Sequence, residues 1–147
     1  MRAVRISVSA DEDTGVARAV LDELRARGHQ PIPHGALTDA ERPDWAWASE
    51  AAARDVADGR AGAGIVCCWT GTGVSIAANK VAGVRAALCT DASTATGARR
   101  WNDANVLALG LRLTTETVGR EVIDAFLTAG PDEDTAEQIA GLEYPHH

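Results

Sequence analysis

The chain has 147 residues, 46% of them hydrophobic and 24% charged, with a formal net charge of −7. That length suits one domain with a buried core, and the acidity argues against a nucleic acid or an anionic membrane surface as partner. No apolar run approaches the roughly 20 residues of a membrane span and no leader-like segment opens the chain, while three cysteines, two of them adjacent, make no disulfide framework, so the natural compartment is the cytoplasm.

Residues 4–8 are a short β-branched segment, followed directly by the acidic triplet Asp11-Glu12-Asp13. Val16, Val20 and Leu24 then recur at helical spacing, with Ala17 and Leu21 widening the stripe and Gly28 as a stop. Residues 30–34 suit a strand, but Pro31 and Pro33 confine it to a sheet edge. An alanine-rich helix is predicted over 44–59, with Trp45 and Trp47 near its start as packing or interface residues. Residues 65–68 form a buried strand, and a helix over 75–81 follows a glycine loop. A strand over 85–89, a helix over 91–101 and a strand over 106–109 come next. Val118, Val122, Ile123 and Phe126 mark an amphipathic helix ending near Gly130. A last helical stretch, 135–142, belongs to an extension that begins at about 131. Strands alternating with helices predict one α/β domain over 1–147, a Rossmann-like three-layer arrangement around a parallel sheet of about five strands. In such sheets ligands bind beyond the carboxyl ends of the strands, where Asp11, Cys68, Asp91 and Arg112 fall.

The stretch 64–80, GIVCCWTGTGVSIAANK, carries the strongest chemical signal. An apolar strand meets Trp69-Thr70-Gly71-Thr72-Gly73 and then a helix start. Gly71 and Gly73 allow a tight turn and close approach to a ligand. The free N–H groups opening the next helix favour an anion, or an oxygen that becomes negative during reaction. A thiol and the Thr70 hydroxyl stand beside that cradle. The loop lacks the third glycine of a dinucleotide fingerprint and the Lys-Ser/Thr of a P-loop, which disfavours a nucleotide-binding reading. Adjacent strand residues point to opposite faces, so only one of Cys67 and Cys68 can face a site. The histidines (His29, His34, His146, His147) show no metal-ligand spacing, and the terminal pair is assigned no role.

The longer string CxTGxGxSIAANK, with residues 84–89 and Asn102-Asp103-Ala104-Asn105 through Gly110, resembles the ribose-5-phosphate isomerase B family, which includes the galactose-6-phosphate isomerase subunits. The resemblance implies cofactor-free isomerisation of an aldose and a ketose through an enediolate, in a homodimer or dimer of dimers with its sites at the subunit interface. It places Cys68 at the family's proton-transfer base, and it assigns Thr70, Gly71, Thr72 and Gly73 to the enediolate oxygens. Asp11 matches an early aspartate that contacts sugar hydroxyls, with Glu12 where histidine is usual. Arg112 matches an arginine that reaches the phosphate, and Asn102 falls in the family's Asn-Asp pair. Asn79 and Lys80 also belong to the string, where helix packing explains them as well.

The chain departs from this pattern at several positions. Trp101 stands where the family has a histidine assigned to ring opening, and an indole donates one hydrogen bond but cannot shuttle a proton. Trp69 replaces a loop glycine and, with Trp101, suits stacking on a sugar. The stretch expected to carry phosphate-binding arginines reads Pro131-Asp132-Glu133-Asp134. These departures predict a substrate with little or no phosphate, or an atypical sugar. They also keep open a rival reading, a non-catalytic sugar-binding or regulatory subunit on the same fold.

Overall fold

The computed structural model of the chain describes residues 3–143, so His146 and His147 lie outside the described residues. Five strands, β1 (Arg5–Ala10), β2 (Gln30–Gly35), β3 (Ala63–Cys68), β4 (Ala86–Leu88) and β5 (Val106–Gly110), form one parallel sheet in the order β2-β1-β3-β5-β4. The helices are α1 (Gly15–Ala26), α2 (Trp45–Ala57), α3 (Thr72–Asn79), α4 (Ala92–Asn102), α5 (Glu116–Thr128) and α6 (Ala136–Glu143), the last preceded by a 3₁₀ turn (Glu133–Thr135). Among the described residues no helix is long and apolar enough to cross a membrane.

Side-chain alternation along each strand divides the core into two halves. Ile6, Val8, Ile65, Cys67, Leu107 and Leu109 face α1, α4 and α5. Val66, Cys68, Val106 and Ala108 face α2 and α3. This is the α/β three-layer, Rossmann-like fold that the alternation of elements predicts. With both faces of β3 covered, all six of its residues are buried. Four helices start on a side-chain cap: Thr14, Asp44, Asp91 and Thr115 each accept the N–H of the third residue on.

Boundaries differ from the sequence reading where tertiary pairing decides them. β1 runs on to Ala10 because Ser9 and Ala10 pair with both β2 and β3. β2 is an edge strand, as its two prolines require. β4 is only three residues long, and α3 begins at Thr72, so the second glycine of the loop already lies in the helix.

A polar cluster beneath the β2–α2 connection has no sequence motif to announce it. His34 Nε2 faces Asp55 Oδ2 at 2.6 Å and its Nδ1 faces Glu41 at 3.0 Å. Ser7 Oγ donates to Asp55 Oδ2 at 2.6 Å, and Arg60 Nε to Oδ1 at 2.8 Å. The cluster joins β1, β2 and α2 in an otherwise apolar layer, and every member finds a partner.

Candidate active site

β3 delivers Cys67 and Cys68 to the carboxyl edge of the sheet in opposite orientations. Cys67 is fully buried in the half of the core under α1 and α5. Burial, with Cys68 and Asp11 beside it, pushes its thiol up to about 12, which leaves it a neutral packing group. Cys89 is likewise buried and pushed up to about 11, by burial and by Asp91. Cys68 turns the other way, onto a hollow of about 300 Å³.

The loop after Cys68 is held tightly over the end of β5. Leu111 N–H donates to Cys68 O at 2.9 Å, and Arg112 N–H to Trp69 O at 3.0 Å. Gly71 has a left-handed φ of 79°, and a Cβ there would lie 2.8 Å from Gly110 N and 2.6 Å from Leu88 Cδ1. Only glycine fits that position. The turn aims the Gly71 N–H at Cys68 Sγ, 3.2 Å away. Thr70 Oγ1 and Thr72 Oγ1 are 2.8 Å apart. α3 starts here without a side-chain cap, so the N–H groups of residues 72–74 have no intrahelical partner. They add the positive end of a helix dipole beside the thiol.

Asp11 enters from the end of β1. The β1–β3 register pairs Ala10 with Cys67, so Asp11 and Cys68 follow side by side, and both line the hollow. Burial raises the Asp11 carboxyl above its ordinary value; its own backbone N–H opposes this and the Glu12 charge adds to it. Trp69 and Trp45 form aromatic walls. A Cβ on Gly73 would lie 3.0 Å from the Trp45 ring, so that ring packs on the first turn of α3. Trp45 is the lining residue that sequence reasoning missed, because α2 reaches the loop only through the fold.

Thus Asp11, Cys68, Trp69, Thr70, Thr72 and Gly73 come together, with Gly71 as the hinge of their loop. Other sequence candidates stand apart within one chain. Glu12 is exposed and does not line the hollow. Trp101 and Asn102 line a separate hollow of about 440 Å³ between β4 and α4. Arg112 is exposed, and its backbone is tied to the loop. Asn79 exchanges two hydrogen bonds with the Ala86 backbone, at 2.8 and 3.0 Å, and so fastens α3 to β4. Arg99 turns inward to Ala104 O and Ala129 O, and Arg100 pairs with Asp132 at 3.3 Å. In this fold helices run antiparallel to the strands. The C-terminus of α4, with Arg100 and Asp132, therefore lies toward the amino ends of the strands, away from Cys68. Among the described residues no group of three or more His, Cys, Asp or Glu side chains is arranged to hold a metal ion.

The family model for Ribose/Galactose Isomerase matches residues 6–141. Galactose-6-phosphate isomerase subunit LacB of Clostridium acetobutylicum is 38% identical over 141 residues, 94% of this chain and 81% of that protein. Ribose-5-phosphate isomerase B of Escherichia coli is 37% identical over 128 residues, 84% of this chain and 85% of that protein. The solved structure of Trypanosoma brucei type B ribose 5-phosphate isomerase superposes with a TM-score of 0.88 at 34% identity, covering 98% of this chain and 99% of that one.

Proposed function

The chain belongs to the ribose/galactose isomerase family, and from that premise we propose that it interconverts an aldose and a ketose by moving a proton between adjacent carbons of a small sugar phosphate. The observation that carries the reading is the orientation of Cys68: its sulfur faces the hollow and accepts the Gly71 N–H at 3.2 Å, while Cys67 is sealed in the core. The Cys68 thiolate takes the proton from the carbon beside the carbonyl. The electron pair moves into the new C=C bond, and negative charge develops on the enediolate oxygen. The Thr70 and Thr72 hydroxyls and the N–H groups of residues 72–74 stabilise that oxygen. The thiol then returns its proton to the neighbouring carbon. Proton transfer alone completes the exchange, and no redox cofactor enters it.

The relatives above act, by name, on phosphorylated sugars, which supports a phosphate on the substrate. The acidic stretch Asp132-Glu133-Asp134 argues against one in the sequence, but within one chain it sits beside Arg100, away from the hollow. Arg112, next to the loop, is the cation assigned to the phosphate. The reading includes a homodimer. Trp69, Ile76 and Trp101 are 55%, 62% and 60% exposed, and a second copy would cover apolar side chains of this kind. Trp101 and Asn102 would meet a Cys68 loop across that interface.

Trp101, where the resemblance expects histidine, favours a second reading, a sugar-binding subunit without turnover. One assay separates the two: product formation by wild type and Cys68→Ala from ribose 5-phosphate, erythrose 4-phosphate, allose 6-phosphate and the unphosphorylated sugars. Turnover of a phosphorylated member that depends on Cys68 supports the isomerase. Binding without turnover supports the subunit.

A further inference from the structure

Asp11 is a titratable group in the hollow that the carbon-to-carbon proton transfer does not use. Its Oδ1 is buried and, among the described residues, has no hydrogen-bond partner, although the carboxyl lines the open hollow beside Cys68. A buried acceptor without a donor costs free energy. Here the missing partner would be a group on the ligand.

Sugars of five or six carbons rest as cyclic hemiacetals. Before isomerisation a proton must reach the ring oxygen and another must leave the anomeric hydroxyl. Imidazole is the usual carrier at neutral pH, yet neither described histidine lines the hollow. His29 accepts the Val4 N–H at 3.2 Å, near the amino end of β1. His34 faces Glu41 and Asp55. The indoles of Trp45 and Trp69 exchange no proton, and Cys68 is engaged with the carbon-bound proton. Glu12 does not line the hollow.

We propose that Asp11 opens the sugar ring, relaying protons between its two carboxyl oxygens; the proposal rests on the isomerase reading above. In the step, the carboxyl O–H gives its proton to the ring oxygen, which takes the electron pair of the breaking C1–O bond. The other carboxyl oxygen takes the proton of the anomeric hydroxyl as the C1=O bond forms. The carboxyl ends as protonated as it began, and no co-reactant is consumed. A raised carboxyl, as burial makes it, keeps more of the acid form available for this role.

The test compares Asp11→Asn with wild type on two substrates. Ribose 5-phosphate closes a ring through its 4-hydroxyl. Erythrose 4-phosphate carries its phosphate on that same oxygen and cannot. Removing a positioned acid–base group costs about 10²–10⁴-fold, so the loss of kcat on ribose 5-phosphate should exceed the loss on erythrose 4-phosphate by about 10²-fold or more. Asp11→Ser should give the same split, which guards against instability of either variant. Equal losses on both substrates would overturn the proposal, since Asp11 would then serve only in binding or folding. Wild type that turns over erythrose 4-phosphate but not ribose 5-phosphate would overturn it too, because nothing in the site would then open a ring. Wild type inactive on every sugar phosphate would instead remove the isomerase reading, and this proposal with it.

Discussion

Replacing Gly71 with alanine probes how closely the chemistry-bearing loop is held against the sheet. At φ 79° an added Cβ would meet Leu88 Cδ1 at 2.6 Å, Gly110 N at 2.8 Å and Leu109 C at 2.9 Å. The leucine methyl can rotate away; the two backbone atoms belong to β5 and cannot. The left-handed conformation costs an L-residue about 1–2 kcal/mol, and overpacking a filled site adds about 1–3 kcal/mol. The sum is about 2–5 kcal/mol, or roughly 5–15 °C in Tm for a chain of this size. Gly28 and Gly59 provide the control. Their φ values are 83° and 79°, but a Cβ on either meets nothing within 4 Å. Gly28→Ala and Gly59→Ala should therefore show only the conformational part, about 1–2 kcal/mol. Urea unfolding with an unchanged m-value measures all three. Gly71→Ala should also lower turnover, because the N–H that reaches Cys68 Sγ moves with the loop. If Gly71→Ala matched the two controls in stability and kept full activity, the close packing of this turn would not be what positions the site.

The buried polar cluster predicts a pH-dependent loss on Asp55→Asn. Burial raises the Asp55 carboxyl, but hydrogen bonds from Ser7, Arg60 and His34 outweigh that and hold it below the ordinary carboxylate range. A depressed folded value means stabilisation that is present above the ordinary pKa and lost as pH falls through the lower one. Asp55→Asn should cost about 1–3 kcal/mol near neutral pH, with the gap to wild type shrinking in acid; a gap that grows in acid would contradict this sign. For the aromatic walls, sugar phosphate should change tryptophan emission, with Trp69→Phe and Trp45→Phe each removing part of the change. Trp47→Phe should leave it intact, and a change carried by Trp47 alone would contradict the placement of the hollow.

Much of the architecture is legible because each helix announces itself locally. The spacing of Val16, Val20 and Leu24 marks α1, and the two prolines of β2 mark an edge strand. What stays hidden depends on pairing across the sheet. Ser9 and Ala10 look like the start of a loop, yet they complete β1 by bonding to both neighbours. Gly73 resembles a helix breaker, but the left-handed turn falls on Gly71 and the helix has begun by Thr72. The two cysteines cannot be told apart by polarity, since β3 is covered on both faces. The packing of α1 and α5 on one side, and of α2 and α3 on the other, separates them. The glycine loop and Cys68 are legible because they are contiguous. Trp45 is not, because it joins the hollow from a helix 23 residues before Cys68 in the chain.

The claim at the centre is that Cys68 moves the proton, and the most direct test is kcat for Cys68→Ala beside Cys67→Ala on whichever sugar phosphate wild type converts. The site geometry predicts a loss of about 10²–10⁴-fold for Cys68→Ala, with sugar binding and the unfolding midpoint little changed. Cys67→Ala, which hollows the core without touching the site, should instead lower stability while kcat stays near wild type. Equal effects of the two substitutions on kcat, or a Cys68→Ala protein that turns over normally, would contradict the account.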